Sequence, residues 1–91
     1  MNKSLYAIDV RNKMLDRWYA LEEEYPEEMD YLKKFLKQHP THTYVTNGLI
    51  KKLRGSLKHI YQYDVSYKDR VRYTVDRKNC IVRVVFAKGH P

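Results

Sequence analysis

The side chains of this sequence that could do chemistry are guanidinium groups and tyrosine rings, gathered in its second half. Residues 46–91 carry eleven lysines and arginines against three acids, a net charge of +8, whereas residues 1–45 carry a net charge of −1. Guanidinium groups bind phosphate through two parallel hydrogen bonds, and tyrosine rings offer surfaces on which unpaired bases stack. The pattern favours a polyanionic partner, with a nucleic acid, an acidic protein and a merely solubilising surface as the alternatives.

Strand alternation predicts where the arginines lie. The segment Arg70–Asp76 alternates valine and tyrosine with arginine and threonine. Because successive side chains of a strand point to opposite faces, Val71, Tyr73 and Val75 share one face and the arginines share the other. Further strands are predicted at Ile60–Val65 and Cys80–Phe86, separated by short polar turns. One sheet face is therefore apolar, and the opposite face presents three arginines, Arg70, Arg72 and Arg83.

The apolar face needs a cover, and the first half of the chain predicts a helical hairpin. Apolar residues recur at helical spacing in two stripes, the first Met14, Leu15, Trp18 and Leu21, the second Met29, Leu32, Phe35 and Leu36. Proline suits the first turn of a helix and disfavours helical geometry before it, so the first helix should end near Glu24 and the second begin at Pro26. His39-Pro40 should stop the second helix.

The whole pattern predicts an α+β fold in a single domain, residues 1–91. An N-terminal strand at Leu5–Val10 precedes the two-helix hairpin, and a three-stranded antiparallel meander follows, with the helices packed on one face of the sheet. A turn of helix is predicted at Leu49–Leu53. Tyr73 and one of Tyr61 and Tyr63 are expected in the core.

Composition argues against several kinds of site. The glycines at 48, 55 and 89 form no phosphate-binding loop, and the lone Cys80 leaves no internal disulfide and no multi-cysteine metal site. The pair His39 and His42 lies across a proline, and a metal site there would need further ligands. No apolar run approaches ~18 residues, and the N-terminus has no signal-peptide core. We therefore expect a cytoplasmic protein with no metal, no cofactor and no membrane contact.

The order of elements and one stretch of sequence resemble the RelE/ParE toxin superfamily, on its RelE–YoeB side. The stretch is KLRGSLKHIYQYDVSYKDRVRYTVD, followed by a hydrophobic strand and a Gly-His pair. Its motifs are a leucine-x-glycine segment at Leu53–Gly55, an aromatic-led strand from Tyr61, an arginine-led strand from Arg70, and Gly89-His90. The resemblance covers nearly the whole chain and implies a RelE-like fold.

That resemblance implies the toxin of a type II toxin-antitoxin system, a ribosome-dependent endoribonuclease that cleaves mRNA and is held inactive by a cognate antitoxin protein. Attack of a 2′-hydroxyl on the adjacent phosphate needs a base, a charge stabiliser and an acid. Arg70 matches the family's strand arginine and would stabilise the phosphorane charge. His90 matches the C-terminal histidine of the YoeB-like branch and would act as acid or base. The expected partners are mRNA, the ribosome and the antitoxin.

The rest of the implied site departs from the family pattern. Lys51 stands where YoeB-like proteins carry a glutamate base, and Gln62 and Asp64 stand where RelE-like proteins carry lysines. Asp64 could be the base, on a face that alternation alone does not fix. The predicted catalytic residues are Arg70, His90, Lys51 and Asp64. The predicted RNA-binding residues are Lys52, Arg54, Lys58, Tyr61, Tyr63, Lys68, Arg72, Arg83 and Lys88. Two alternatives stay open: a non-catalytic relative that binds RNA, the ribosome or a protein partner, and a ParE-like inhibitor of DNA gyrase.

Overall fold

A computed structural model describes residues 5–41 and 50–89, in which two helices pack on a five-stranded mixed sheet. The strands are β1 (Ala7–Val10), β2 (Ile50–Lys52), β3 (Tyr61–Asp64), β4 (Arg70–Asp76) and β5 (Ile81–Ala87). The helices are α1 (Leu15–Glu24) and α2 (Pro26–Gln38), and short 3-10 turns cover Asn12–Met14 and Gly55–Leu57. The strand order is β1-β5-β4-β3-β2, with β1 parallel to β5 and the other pairs antiparallel. The predicted α+β class is confirmed.

The helical hairpin forms where its apolar stripes and its proline predict it. α1 ends at Glu24 and α2 begins at Pro26, with Tyr25 in a non-helical conformation between them. Proline lacks the N–H that a first helical turn leaves unpaired, and two glutamates follow it at the positive end of the helix dipole. Neither helix in the described part of the chain is long and apolar enough to cross a membrane.

The core lies between the hairpin and one face of the sheet. The helices contribute Trp18, Leu21, Met29, Leu32 and Leu36, and the sheet contributes Ile50, Tyr61, Tyr63, Val71, Tyr73, Val82, Val84 and Ala87. Cross-strand register explains the sheet set, because residues paired across a sheet share a face. Tyr73 pairs with Tyr61 on one side and with Val84 on the other, so all three side chains lie under the helices.

The segment before β3 differs from its prediction. The turn of helix predicted at Leu49–Leu53 is wrong, because Ile50–Lys52 is an edge strand that pairs antiparallel with β3. Three residues are too few for an alternation to identify a strand, and the pairing itself supplies the hydrogen bonds that hold it. The predicted three-stranded meander is thus the middle of a larger sheet, extended by β2 at one edge and by parallel β1 at the other.

The face away from the helices carries the arginines, as strand alternation predicted. Arg70 pairs with Asp64 and Arg72 with Gln62 across β3 and β4, and Arg83 pairs with Thr74 across β4 and β5. The register of β4 and β5 shifts between Arg72 and Tyr73, where β5 holds one extra residue. Such a bulge bends the strand and increases its twist. We call this surface the open face.

Candidate functional site

A chain of hydrogen bonds joins four side chains across the open face. Arg72 donates from Nε to Gln62 Oε1 at 2.9 Å, and Gln62 donates from Nε2 to Asp64 Oδ1 at 3.0 Å. Arg70 Nε lies 3.0 Å from the same Asp64 oxygen. We call these four residues the polar row. Gln62 is only 5% exposed, so its amide is held in one orientation, and that orientation fixes both of its partners.

Arg70 is the most constrained member of the polar row. Its side chain is 18% exposed, and besides the ion pair with Asp64 it donates from Nη1 to the Ser66 carbonyl oxygen at 2.8 Å. Two of the four predicted catalytic residues are thus bonded to each other. Asp64 Oδ1 already accepts from Arg70 and from Gln62, so the carboxylate charge is compensated within the protein.

A groove of about 470 Å³ runs over the middle of the open face. Four elements line it: the residue after β1, the segment before β3, and the strands β4 and β5. Its polar lining is Arg11, His59, Arg72, Thr74 and Arg83, and its apolar walls are Ile60, Val85 and Phe86. We call it the arginine groove. It meets the polar row at Arg72, which belongs to both.

The arginine groove is electropositive. Arg83 donates from Nη1 to Asp76 Oδ2 at 3.2 Å. Hydrogen bonds from the Asn79 side chain and backbone, and then from Arg83, lower the pKa of Asp76 to about 2. Within residues 5–41 and 50–89, neither Arg11 nor Arg72 forms an ion pair with a carboxylate. Such unpaired guanidinium groups are available to an anionic ligand.

A buried carboxylate anchors the end of β5 beside Arg70. Asp69 is 3% exposed and accepts hydrogen bonds from the Tyr25 hydroxyl at 2.8 Å and from the Gly89 N–H at 2.9 Å. Burial alone would raise the pKa of Asp69, but these hydrogen bonds outweigh burial and lower it. The Arg70 N–H also donates to the Gly89 carbonyl at 3.2 Å. We call Asp69, Tyr25 and Gly89 the Asp69 anchor; His90, predicted to be catalytic, lies outside the described residues.

Other predicted site residues are exposed at the edge of the sheet. Lys51 pairs with Gln62 and so shares the open face with the polar row. Lys52 points to the other face, where its Nζ lies 5.6 Å from the centroid of the Tyr61 ring. Arg54 and Lys58 flank the 3-10 turn before β3, and both are exposed.

The predicted stacking role of Tyr61 and Tyr63 is wrong. Both rings lie under the helices, 8% and 1% exposed, because the register places them opposite Tyr73 and Val71. Tyr61 stacks on Tyr73 with ring centroids 5.5 Å apart. The prediction that Tyr73 is a core residue is confirmed, and both of the other rings, rather than one, join it.

Lys68 and Lys88 are placed away from the arginine groove. Lys88 Nζ lies 3.1 Å and Lys68 Nζ 3.8 Å from the carboxylate of Glu24 at the end of α1. The hydrogen bond to Glu24 is the main reason that the pKa of Lys88 is raised. These two lysines therefore neutralise a helix end outside the arginine groove, and their contact with RNA stays a prediction.

Arg11 and His59 are functional candidates that sequence reasoning missed. Each lies just outside a strand, where alternation assigns no face, and only the folded sheet brings them beside Arg72. In the part of the chain that the structure describes, no group of three or more histidines, cysteines or acids is placed to hold a metal ion. His42, half of the pair considered as metal ligands, lies outside those residues.

Solved structures share this architecture, although no protein-family model and no curated protein matches the sequence. The YoeB/ParE toxin from Agrobacterium tumefaciens superposes with a TM-score of 0.74 at 13% identity, over 93% of this chain and 99% of that chain. The RelE–RelB complex from Pyrococcus horikoshii superposes with a TM-score of 0.68 at 16% identity, over 92% of this chain and 93% of that chain. The YoeB–YefM complex from Staphylococcus aureus superposes with a TM-score of 0.61 at 17% identity, over 94% of this chain and 98% of that chain. The chain therefore shares the fold of these YoeB and RelE toxins.

Proposed function

We propose that this chain, which has the fold of the RelE/ParE toxins, is the toxin of a type II toxin-antitoxin system and cleaves mRNA on the ribosome. The observation that carries the proposal is the gathering of guanidinium groups on one uncovered sheet face of that fold. Such a face suits a phosphodiester backbone, because arginine donates two hydrogen bonds to one phosphate. Ribosomes and mRNA place the activity in the cytoplasm, and the chemistry uses no metal or cofactor.

The reaction is attack of a ribose 2′-oxygen on the adjacent phosphorus, with departure of the 5′-oxygen. It leaves a 2′,3′-cyclic phosphate on one fragment and a 5′-hydroxyl on the other. Negative charge grows on the non-bridging oxygens, and a fixed guanidinium stabilises that charge without reorganising. Arg70 would supply this stabilisation, oriented by Asp64, while His90 would transfer a proton. Lys51, exposed beside Gln62, would donate to the phosphate or to the leaving oxygen.

The remaining basic residues would hold RNA outside the reacting centre. Arg54 and Lys58 are exposed before β3, and Lys52 is exposed at the sheet edge, where no carboxylate of the described residues pairs with any of the three. Contacts of this kind make binding strongly salt-dependent, because each bound phosphate releases counterions. A cognate antitoxin should cover the open face with acidic and apolar residues. The YoeB–YefM structure from Staphylococcus aureus is itself a toxin–antitoxin complex.

A second candidate function is binding without cleavage. The ion pair between Arg70 and Asp64 favours it, because that pair uses two predicted catalytic groups to hold each other. A protein of this kind would occupy the ribosome or RNA through the open face and arrest translation with no cut.

Induced expression followed by primer-extension mapping of transcripts tests the proposal. The wild type should arrest growth and produce new transcript ends, and Arg70→Ala and His90→Ala should each restore growth while the purified proteins remain folded. Arg77→Ala is the control, since Arg77 is exposed in the turn between β4 and β5. Growth arrest without cuts supports the binding function. A wild type that produces no cuts and no growth arrest would contradict the toxin assignment.

A further inference from the structure

The arginine groove has the size and lining of a nucleotide site. Ligand pockets commonly measure about 300–1,000 Å³ and combine apolar walls with a few convergent polar groups. Here the walls are Ile60, Val85 and Phe86, and the bulge in β5 places two of these side by side. Apolar and aromatic walls beside guanidinium groups suit a nucleotide, whose base is flat and apolar and whose linkage is anionic.

Arg72 is prepared for phosphate in a way that Arg70 is not. Its Nε is engaged with Gln62 at 2.9 Å, which fixes the plane of the guanidinium. Among the residues that the structure describes, its two terminal nitrogens have no protein acceptor. Arg70, in contrast, uses Nε on Asp64 and Nη1 on the Ser66 carbonyl. An oriented guanidinium with free terminal nitrogens is the arrangement that binds a phosphate through two bonds.

His59 is the histidine among the residues that line the arginine groove. Imidazole is the side-chain group that most often serves as a general acid or base, and none of the other seven lining residues carries one. It is exposed, and it lies in the segment just before β3, across the groove from Arg83 on β5. Carboxylates on the open face belong to Asp64 of the polar row, to Asp9, which pairs with Arg83 in register, and to Asp76, which Arg83 already bonds.

We propose that the arginine groove holds the scissile phosphodiester of single-stranded RNA, and that the His59 imidazole accepts the proton of the attacking 2′-hydroxyl. The inference deepens the proposed function and rests on it for the chemical step. The substrate class is a ribonucleotide linkage with its flanking base against the Val85 and Phe86 wall. His59 would thereby act as the general base. Asp64 is poorly suited to that role, because its carboxylate is held in an ion pair with Arg70.

The step balances within the substrate and the protein. The 2′-oxygen forms a bond to phosphorus as its proton passes to the unprotonated nitrogen of His59. The phosphorus–O5′ bond then breaks, and a second group or water protonates the leaving oxygen. Arg72 shares with Arg70, its neighbour in the polar row, the charge that grows on the non-bridging oxygens. No oxidant, reductant or external nucleophile is consumed.

Binding is tested apart from cleavage with an oligodeoxynucleotide, which lacks the 2′-hydroxyl and cannot be cut. Its affinity is measured by fluorescence anisotropy against salt concentration for the wild type, Arg11→Gln and Arg77→Gln. The two variants lose the same charge, but only Arg11 lines the groove. Arg11→Gln should weaken binding about tenfold and flatten the log–log salt slope by about 0.7. The affinity of Arg77→Gln should stay near that of the wild type. Equal losses of affinity in the two variants would contradict the proposal that the groove binds the strand.

Cleavage is measured with purified ribosomes and an mRNA for the wild type and His59→Gln. The variant should cut about 10²–10⁴-fold more slowly and bind the oligodeoxynucleotide within about twofold of the wild type. A wild type that cuts and a His59→Gln that cuts equally fast overturns the role of His59. A wild type that binds through Arg11 but cuts nothing overturns the proposed nuclease, and with it the proton transfer, while the groove stands as a binding site.

Discussion

Replacing Asp69 with asparagine removes the charge of the Asp69 anchor while keeping the shape of the side chain. The carboxylate is 3% exposed and accepts from the Tyr25 hydroxyl at 2.8 Å and the Gly89 N–H at 2.9 Å. Hydrogen bonds to a charged group contribute about 1.5–3 kcal/mol, and asparagine offers one acceptor where the carboxylate offers two. We expect the variant to lose about 2–3 kcal/mol of unfolding free energy at neutral pH.

The loss of stability in Asp69→Asn should depend on pH. The folded-state pKa of Asp69 lies below its ordinary value of 3.8, so the carboxylate contributes stability above that value. The contribution fades as the pH falls through the folded-state pKa. The difference between wild type and Asp69→Asn should therefore be full at pH 7 and shrink below about pH 4.

Urea denaturation followed by circular dichroism and by Trp18 fluorescence measures both effects. Asp30→Asn is the matched control, because Asp30 is 61% exposed and, among the described residues, pairs only with Lys34 one helical turn on. That variant should lose less than about 0.5 kcal/mol. Tyr25→Phe should also destabilise, and the double variant with Asp69→Asn should lose less than the sum of the two, because they share one bond. An Asp69→Asn protein as stable as the wild type at pH 7 would refute the claim that the Asp69 carboxylate stabilises the fold.

Three other substitutions test the packing. Tyr63→Ala should lose about 3–5 kcal/mol because the ring is 1% exposed, whereas Tyr67→Ala, at 86% exposed, should stay within about 0.5 kcal/mol in the same urea titration. A stable Tyr63→Ala protein that binds RNA poorly would instead restore the stacking role. Cys80→Gly should gain about 0.5–1 kcal/mol, because Cys80 sits at φ +55. The left-handed region costs about 1–2 kcal/mol for a residue with a Cβ, and the added freedom of unfolded glycine offsets part of this. A loss of stability there would show that the thiol packs in a way that outweighs the strain.

Strand alternation predicted the open-face arginines well, and the reason is physical. The side-chain period of a strand is two residues, and β4 alternates without interruption, so its arginines had to share a face once Val71 and Tyr73 were buried. Predicting the face of Asp64 also requires the register of β3 against β4, which the local sequence does not contain. With that register, Asp64 meets Arg70 on the open face.

Other features depend on tertiary structure from the start. A tyrosine can pack in a core or stack on a base, and its sequence neighbours do not distinguish the two, so Tyr61 and Tyr63 were misplaced. The strand Ile50–Lys52 exists because β3 offers it a pairing edge. Arg11 and His59 are far apart in sequence and meet only across the folded sheet. Residues outside regular elements carry no periodic signal, and these two are half of the groove's basic lining.

The most direct measurement of the central claim, that the open face cuts mRNA, is a map of transcript 5′ ends after induction of three proteins. Wild type and Arg77→Gln should both produce new ends that carry a 5′-hydroxyl, because Arg77 lies outside the groove. Arg72→Gln should produce few or none, because it removes the guanidinium shared by the polar row and the arginine groove. A wild type that yields no new ends, or an Arg72→Gln protein that yields the wild-type map, would contradict the account.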